Sequence, residues 1–173
     1  MLLASARVDA DPSTDVAAAV RELTDRQAVA DLIHAYCEHF DANEPEAVGA
    51  LFTEIATVDY GPEVPTIVGG PEEIAARVAV GLDELFAATS HHVSNVRIEL
   101  DGPDTASSLS YLYAWHRYLD GSPDGELWGR YRHTFRRTEA GWRIASLRLE
   151  AAGSVDFHRA TTHPIGRRPA ASG

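Results

Sequence analysis

Cysteine is all but missing. Cys37 is the single example in 173 residues. That excludes an internal disulfide, fits a reducing cytoplasm and leaves no cysteine-based zinc site. Long apolar runs are missing too, and nothing approaches the roughly 20 residues of a membrane span. The opening MLLASARVDADPSTD has too short an apolar stretch, and acids too early, for a signal peptide. Basic residues are few: 15 Lys and Arg stand against 26 Asp and Glu, a formal net charge of −11. Nucleic acid and anionic membrane both call for a basic patch, so neither is an expected partner. What is present is ordinary globular composition, 45% hydrophobic and 24% charged, at a length that suits one domain.

Residues 1–15 and 161–173 are rich in small residues and Pro, and read as tails around one domain at 16–160. The first strong element is helical. Val29, Leu32, Ile33, Tyr36, Cys37 and Phe40 recur at i, i+3, i+4, i+7, i+8 and i+11, one apolar stripe. Thr24 fits the N-cap of that helix, with Gln27 at the capping-box position. Asn43 and Pro45 open a short second helix with Val48, Leu51 and Phe52 inward, and ATVDYG reads as a brief strand. Pro71, Glu72 and Glu73 start a third helix. Residues 91–100, 105–119, 127–138 and 142–151 then carry strand-forming side chains, separated by the turn-prone DGPD, LDGSPDGE and TEAG. Helices followed by hairpin-linked strands make an α+β domain. The expected form is a curved antiparallel sheet with three N-terminal helices closing its concave side around a pocket.

Several residues in this frame carry chemistry. Asp41 ends the first helix on the flank of the apolar stripe, about 110° from its centre, where a carboxylate meets either a pocket or water. Strand alternation puts His92 in phase with Val96, Ile98 and Leu100, and His91 in phase with Arg97 and Glu99. Parity therefore points His92 inward, and a bulge would reverse it. His116 shares a face with Leu112, Ala114 and Tyr118, while Tyr113 and Trp115 share the other. His133 alternates with Tyr131 and Phe135. Tyr60 follows Asp59 at a strand end, as a pocket phenol or a rim aromatic. His34 and His39 ride helix flanks, and His158 and His163 fall near the C-terminus.

The order of HFDANEPEAVGALF, VDYGP, GGPEEIAARV, TSHHVSNVRIELDGPDTA, YAWHRY and GWRIASLRLE, spread over residues 22–157, resembles the SnoaL-like, scytalone-dehydratase-like branch of the NTF2-like superfamily. The resemblance implies an α+β cone with a deep apolar pocket, working without metal or organic cofactor. It implies that Asp41 orients His91, with His116 and Tyr60 as further catalytic groups. Phe40 stands where the dehydratase has a second Tyr, and Tyr131 where it has a polar Asn.

That chemistry suits the residues. An imidazole exchanges protons near neutrality, and a carboxylate on its other nitrogen fixes the tautomer. A Tyr hydroxyl or second His can steady an enolate-like oxygen. Asp-base and Tyr-donor catalysis in ketosteroid isomerase is the established example on this fold. Phe40, Leu51, Phe52, Phe86, Trp115 and Trp128 are the candidate apolar walls, with Tyr131 and His133 beside them as substrate contacts. The expected function is a cofactor-independent dehydratase, cyclase or isomerase acting on a mid-sized, apolar, oxygenated small molecule such as a polyketide or aromatic intermediate of secondary metabolism. The expected assembly is a homodimer or homotrimer. Two alternatives use the same features. One is a non-catalytic binding or dimerisation module. The other is a metal site from His91, His92 and His116, which opposite-pointing strand neighbours disfavour.

Overall fold

The computed structural model describes residues 12–166, with side chains from Asp15 onward. Residues 1–11 and 167–173 of the two expected tails lie outside the described residues. The order is α1 (Pro12–Asp41), α2 (Pro45–Ala50), β1 (Phe52–Asp59), β2 (Ile67–Gly69), α3 (Pro71–Glu84), β3 (Phe86–Leu100), β4 (Thr105–Tyr118), β5 (Gly125–Thr138) and β6 (Gly141–Val155).

The strands form one curved, unclosed sheet in the order β2-β1-β6-β5-β4-β3. Hairpins make β3 to β6 antiparallel, as the turn signals require. One pairing departs from the expected antiparallel sheet. β1 runs parallel to β6, Thr57 beside Ser146, because α3 and three long strands intervene before the chain returns to it. The short β2, paired with β1, is not legible in the sequence.

The helices cover the concave face. Val29, Ile33 and Tyr36 of α1 and Ile74, Val78 and Leu82 of α3 are buried, as their 3.6-residue spacing dictates. From β5 and β6, Leu127, Phe135, Ile144 and Leu147 meet them in one core. Gly49 lets α2 reach α3, since a Cβ there would sit 2.3 Å from the Pro71 carbonyl oxygen. Helix α1 starts earlier than its apolar stripe. Thr24 is not a cap but an interior residue, its hydroxyl donating to the Val20 carbonyl at 2.9 Å. The turns before it give no signal of packed helix because they do not pack: Val16, Val20 and Leu23 are exposed. At the other end, the expected tail is partly tied down. The Ala151 N–H donates to the His163 carbonyl, and the Ile165 N–H to that of Ala151, both at 2.8 Å. Among the described residues no helix is long and apolar enough to cross a membrane.

Strand β3 decides which histidine faces the helices. Its pairing with β4 slips by one residue between Ser94 and Arg97, and Asn95 takes a left-handed φ of 50°. This is a bulge. Beyond it Val96, Ile98 and Leu100 lean inward, and before it the inward positions are His91 and Val93. The parity reading that favours His92 fails here, because it counts through the bulge. Asn tolerates this conformation and a β-branched residue does not. We expect Asn95→Val to lower stability by about 1–2 kcal/mol and Asn95→Gly to change it little, as read by urea denaturation.

Candidate active site

The site begins where α1 ends against β3. Asp41 Oδ2 accepts the backbone N–H of His91 at 2.7 Å. Its Oδ1 lies 2.6 Å from His91 Nδ1 and accepts the Thr89 hydroxyl at 2.8 Å. Burial pushes the Asp41 carboxyl up, but the His91 ring and the Thr89 and His91 hydrogen bonds outweigh it, and the pKa falls below the ordinary carboxylate value. An ionised carboxylate at Nδ1 keeps the proton on that nitrogen, which leaves Nε2 as the basic atom toward the cavity. The His91 side chain is only 5% exposed, and the edge-to-face ring of Phe40 at 5.0 Å holds its plane.

His116, on the inner face of β4, sets its ring at 5.5 Å and nearly perpendicular to that of His91. Burial, then the neighbouring His91 and His158, push its pKa down to about 3, so it is a neutral imidazole. Its Nδ1 is buried without a hydrogen-bond partner. Across the cavity the hydroxyls of Tyr36 and Tyr60 lie 2.6 Å apart. Burial raises Tyr36 well above the usual phenol value, and raises Tyr60 against the opposing pull of Tyr36 and Arg159. Both therefore stay protonated. One hydroxyl donates to the other, and the acceptor's own proton is left for a third oxygen. Tyr60→Phe strands the buried Tyr36 hydroxyl and should cost about 1–3 kcal/mol, whereas the double Tyr36→Phe/Tyr60→Phe variant should cost less than the sum of the single changes. Chemical denaturation of the three variants reads this.

These groups face a cavity of about 200 Å³. Leu112, Ala114, Leu127 and Leu149 give it an apolar sheet wall, and Val78 and Gly81 of α3 lie opposite. The turn after β6 supplies Phe157, His158 and Arg159. Tyr118 anchors that turn: its hydroxyl donates to the Asp156 carbonyl at 3.2 Å and accepts the His158 N–H at 3.0 Å. The Glu63 carboxylate fastens the next residues, accepting from the N–H groups of Ala160 and Thr161 and the Thr161 hydroxyl. Among the described residues no group of three or more His, Cys, Asp or Glu is arranged to hold a metal ion.

This cone, with its helix-end Asp against a strand His, can be set beside known proteins. A model of the SnoaL-like domain matches residues 21–148. The chain belongs to the SnoaL-like family. A candidate scytalone dehydratase from Novosphingobium aromaticivorans is 31% identical, with a TM-score of 0.78 over 86% of this chain and 97% of that one. An NTF2-like protein with a cystatin-like fold from the same organism is 26% identical, with a TM-score of 0.67 over 83% and 90%. The LinA-type3 hexachlorocyclohexane dehydrochlorinase of Novosphingobium barchaimii is 17% identical, covers 85% and 98%, has a TM-score of 0.72 and shares the fold. No curated protein matches significantly.

In this SnoaL-like cavity Phe40, Tyr60, Phe86, His91, His116 and Tyr131 are all lining residues, and Asp41 stands behind His91. Five of the expected contacts lie elsewhere. Phe52 is a core residue packed edge-on to Tyr36 at 6.2 Å. His133 sits behind Tyr131, stacked on Phe135 at 5.6 Å. Trp115 and Trp128 point to the outer face of the sheet, where Arg117 covers Trp115 at 5.0 Å and Trp128 packs with Tyr113 at 6.1 Å. Both tryptophans belong to the strand phase opposite His116 and Tyr131. Leu51, also expected as a wall, packs against the core instead. His92 is exposed and hydrogen-bonded to Ser90. Tyr36, Phe157, His158 and Arg159 are among the lining residues that escape the sequence reading. Tyr36 is visible in the α1 stripe one turn before Phe40, but the other three follow the last strand and carry no periodic signal.

Proposed function

We propose that the cavity performs proton transfer next to a carbonyl, as a dehydratase, cyclase or isomerase. The observation that carries this is the Asp41–His91 pair, which presents a basic Nε2 to a largely apolar cavity. His91 Nε2 takes a proton from the carbon beside the substrate's carbonyl, the C–H electron pair becomes the C=C bond of an enolate, and the carbonyl π pair moves onto oxygen. The spare proton of the Tyr36–Tyr60 pair donates a hydrogen bond to the resulting enolate oxygen. His91, now protonated, returns its proton either to carbon, giving an isomer, or to a departing β-hydroxyl, giving water and a new double bond. His116, held neutral, suits hydrogen bonding rather than protonating the leaving group. The similarity to the candidate scytalone dehydratase supports this reading. The substrate is a mid-sized oxygenated ring molecule, in keeping with a polyketide or aromatic intermediate. The outer sheet face, with Tyr111 and Trp128 exposed, suits the contact of a dimer or trimer.

The test is hydrogen–deuterium exchange at carbon. Aromatic ketones such as 2-tetralone are incubated with the protein in D₂O and followed by NMR. Exchange faster than in solvent, and dependent on Asp41 and His91, is the expected result. Exchange equal in the wild type and in His91→Ala would sink the proposal.

A further inference from the structure

Arg159 is a charged feature of the cavity that proton transfer to and from a neutral ketone does not use. Its Nη1 donates to the Tyr60 carbonyl at 3.0 Å, and it lies over the rings of Tyr60 at 5.6 Å and Phe157 at 6.0 Å. A guanidinium carries five N–H donors, and this is the one hydrogen bond it makes among the described residues. Arg159 is half-buried, and that desolvation lowers its pKa, so its charge is partly withdrawn from water. Glu63 offsets part of that from a distance, but among the described residues Arg159 forms no ion pair within 4 Å. The Glu63 oxygens are occupied by Ala160 and Thr161.

The wall chemistry agrees. Although the chain carries a net charge of −11, the charged side chains lining the cavity are Arg159 within and Arg77 on α3, and no Asp or Glu lines it. A half-buried cation without an ion-pair partner beside an apolar space carries a desolvation cost. A planar guanidinium is the side chain best matched to a carboxylate, which it grips through two parallel hydrogen bonds.

We propose that Arg159 forms a carboxylate subsite, so that the substrate is an aromatic or alicyclic keto acid rather than a neutral ketone. Its acid group pairs with Arg159 and holds the reacting carbon against His91. This rests on the acid–base reading of the same cavity and adds the substrate's charge to it. It also gives the turn after β6 a function, since that turn brings the specificity residue and closes the cavity in one piece.

Isothermal titration with 2-naphthoate and its neutral counterpart 2-naphthamide at pH 7.5 tests the subsite. We expect the wild type to bind 2-naphthoate at least tenfold more tightly than 2-naphthamide. Arg159→Gln should bring the ratio close to one, Arg159→Lys should keep part of it, and Arg77→Gln should keep most of it. Three results overturn the proposal: equal affinities or no 2-naphthoate binding in the wild type, a ratio unchanged in Arg159→Gln, or a ratio abolished by Arg77→Gln. If Arg159→Gln fails to fold, Arg159→Lys decides, since a full wild-type ratio there shows that paired hydrogen bonding is not used. The titration involves no turnover. A carboxylate preference alongside His91-independent exchange keeps the subsite and loses the dyad, and the opposite pattern does the reverse.

Discussion

Asp41→Asn will lower proton-transfer activity by about 10²–10⁴-fold, the usual worth of general acid–base assistance, while leaving the fold intact. The geometry dictates the sign. The His91 backbone N–H points at Oδ2 and cannot accept, so the carbonyl of the new side-chain amide must take that position. Its NH₂ then occupies the place of Oδ1, beside His91 Nδ1 and the Thr89 hydroxyl. The hydroxyl can turn to accept. Nδ1 can accept only by giving up its proton, which moves the imidazole proton to Nε2, the nitrogen proposed as the base. The variant therefore keeps the imidazole in place and holds it in the wrong tautomer. His91→Ala should show a comparable loss. Steady-state rates on any substrate found by the exchange assay, with circular dichroism as the fold control, check both variants. Equal rates for wild type and Asp41→Asn would show that the carboxylate merely caps the strand.

The protein will also lose stability in mild acid, well before its carboxylates titrate. His133 and His116 are both buried, and burial is the leading cause that pushes each down to about 3. His158 follows at about 4, for burial and the adjoining Arg159 charge. In the unfolded chain a histidine titrates near 6.5. Below that pH the unfolded state takes up protons that the folded state refuses. Stability is therefore complete above about pH 6.5 and declines as pH falls toward 3–4. At pH 5 the difference is about 1.5 pH units for each of His116 and His133, or about 2 kcal/mol apiece. Together that is about 4 kcal/mol of a typical 5–15 kcal/mol. Asp25, Asp41 and Asp59 have lowered pKa values and act in the same direction, but only as pH falls below the ordinary carboxylate range. His133→Leu separates these effects. His133 Nε2 is buried without a partner, so the variant should resemble the wild type at pH 7.5 and exceed it by about 2 kcal/mol at pH 5. Urea denaturation at the two values measures this, and parallel losses in both proteins would refute the burial account.

The helix stripe from Val29 to Phe40 and the four long strands are readable because their periodicities differ and their turns are marked by Gly, Pro and Asp. The dyad is readable only with help from the family resemblance. Asp41 lies on a helix flank, where angle alone cannot distinguish pocket from water. His91 and His92 are separated by a backbone irregularity at Asn95, which alternation cannot register. Size suggests Trp115 and Trp128 as walls, although their own strand phase sets them outside. Arg159 is beyond reach for another reason: a residue in a turn has no face until the turn is anchored, here by Tyr118 and Glu63. Local pattern recovers what regular elements bury, and contacts distant in sequence fix the rest.

The parallel contact between β1 and β6 has a consequence during synthesis. Thr57 leaves the ribosome long before Ser146, its neighbour in the sheet. The helices and β1 emerge first, with the apolar sides of Val58 and Ile33 waiting for strands not yet made. The antiparallel hairpins can zip locally as they appear, but the cone closes only when its last strand is delivered. Closure of so long a loop makes that docking the slow step, and the nascent domain is at its stickiest just before β6 emerges.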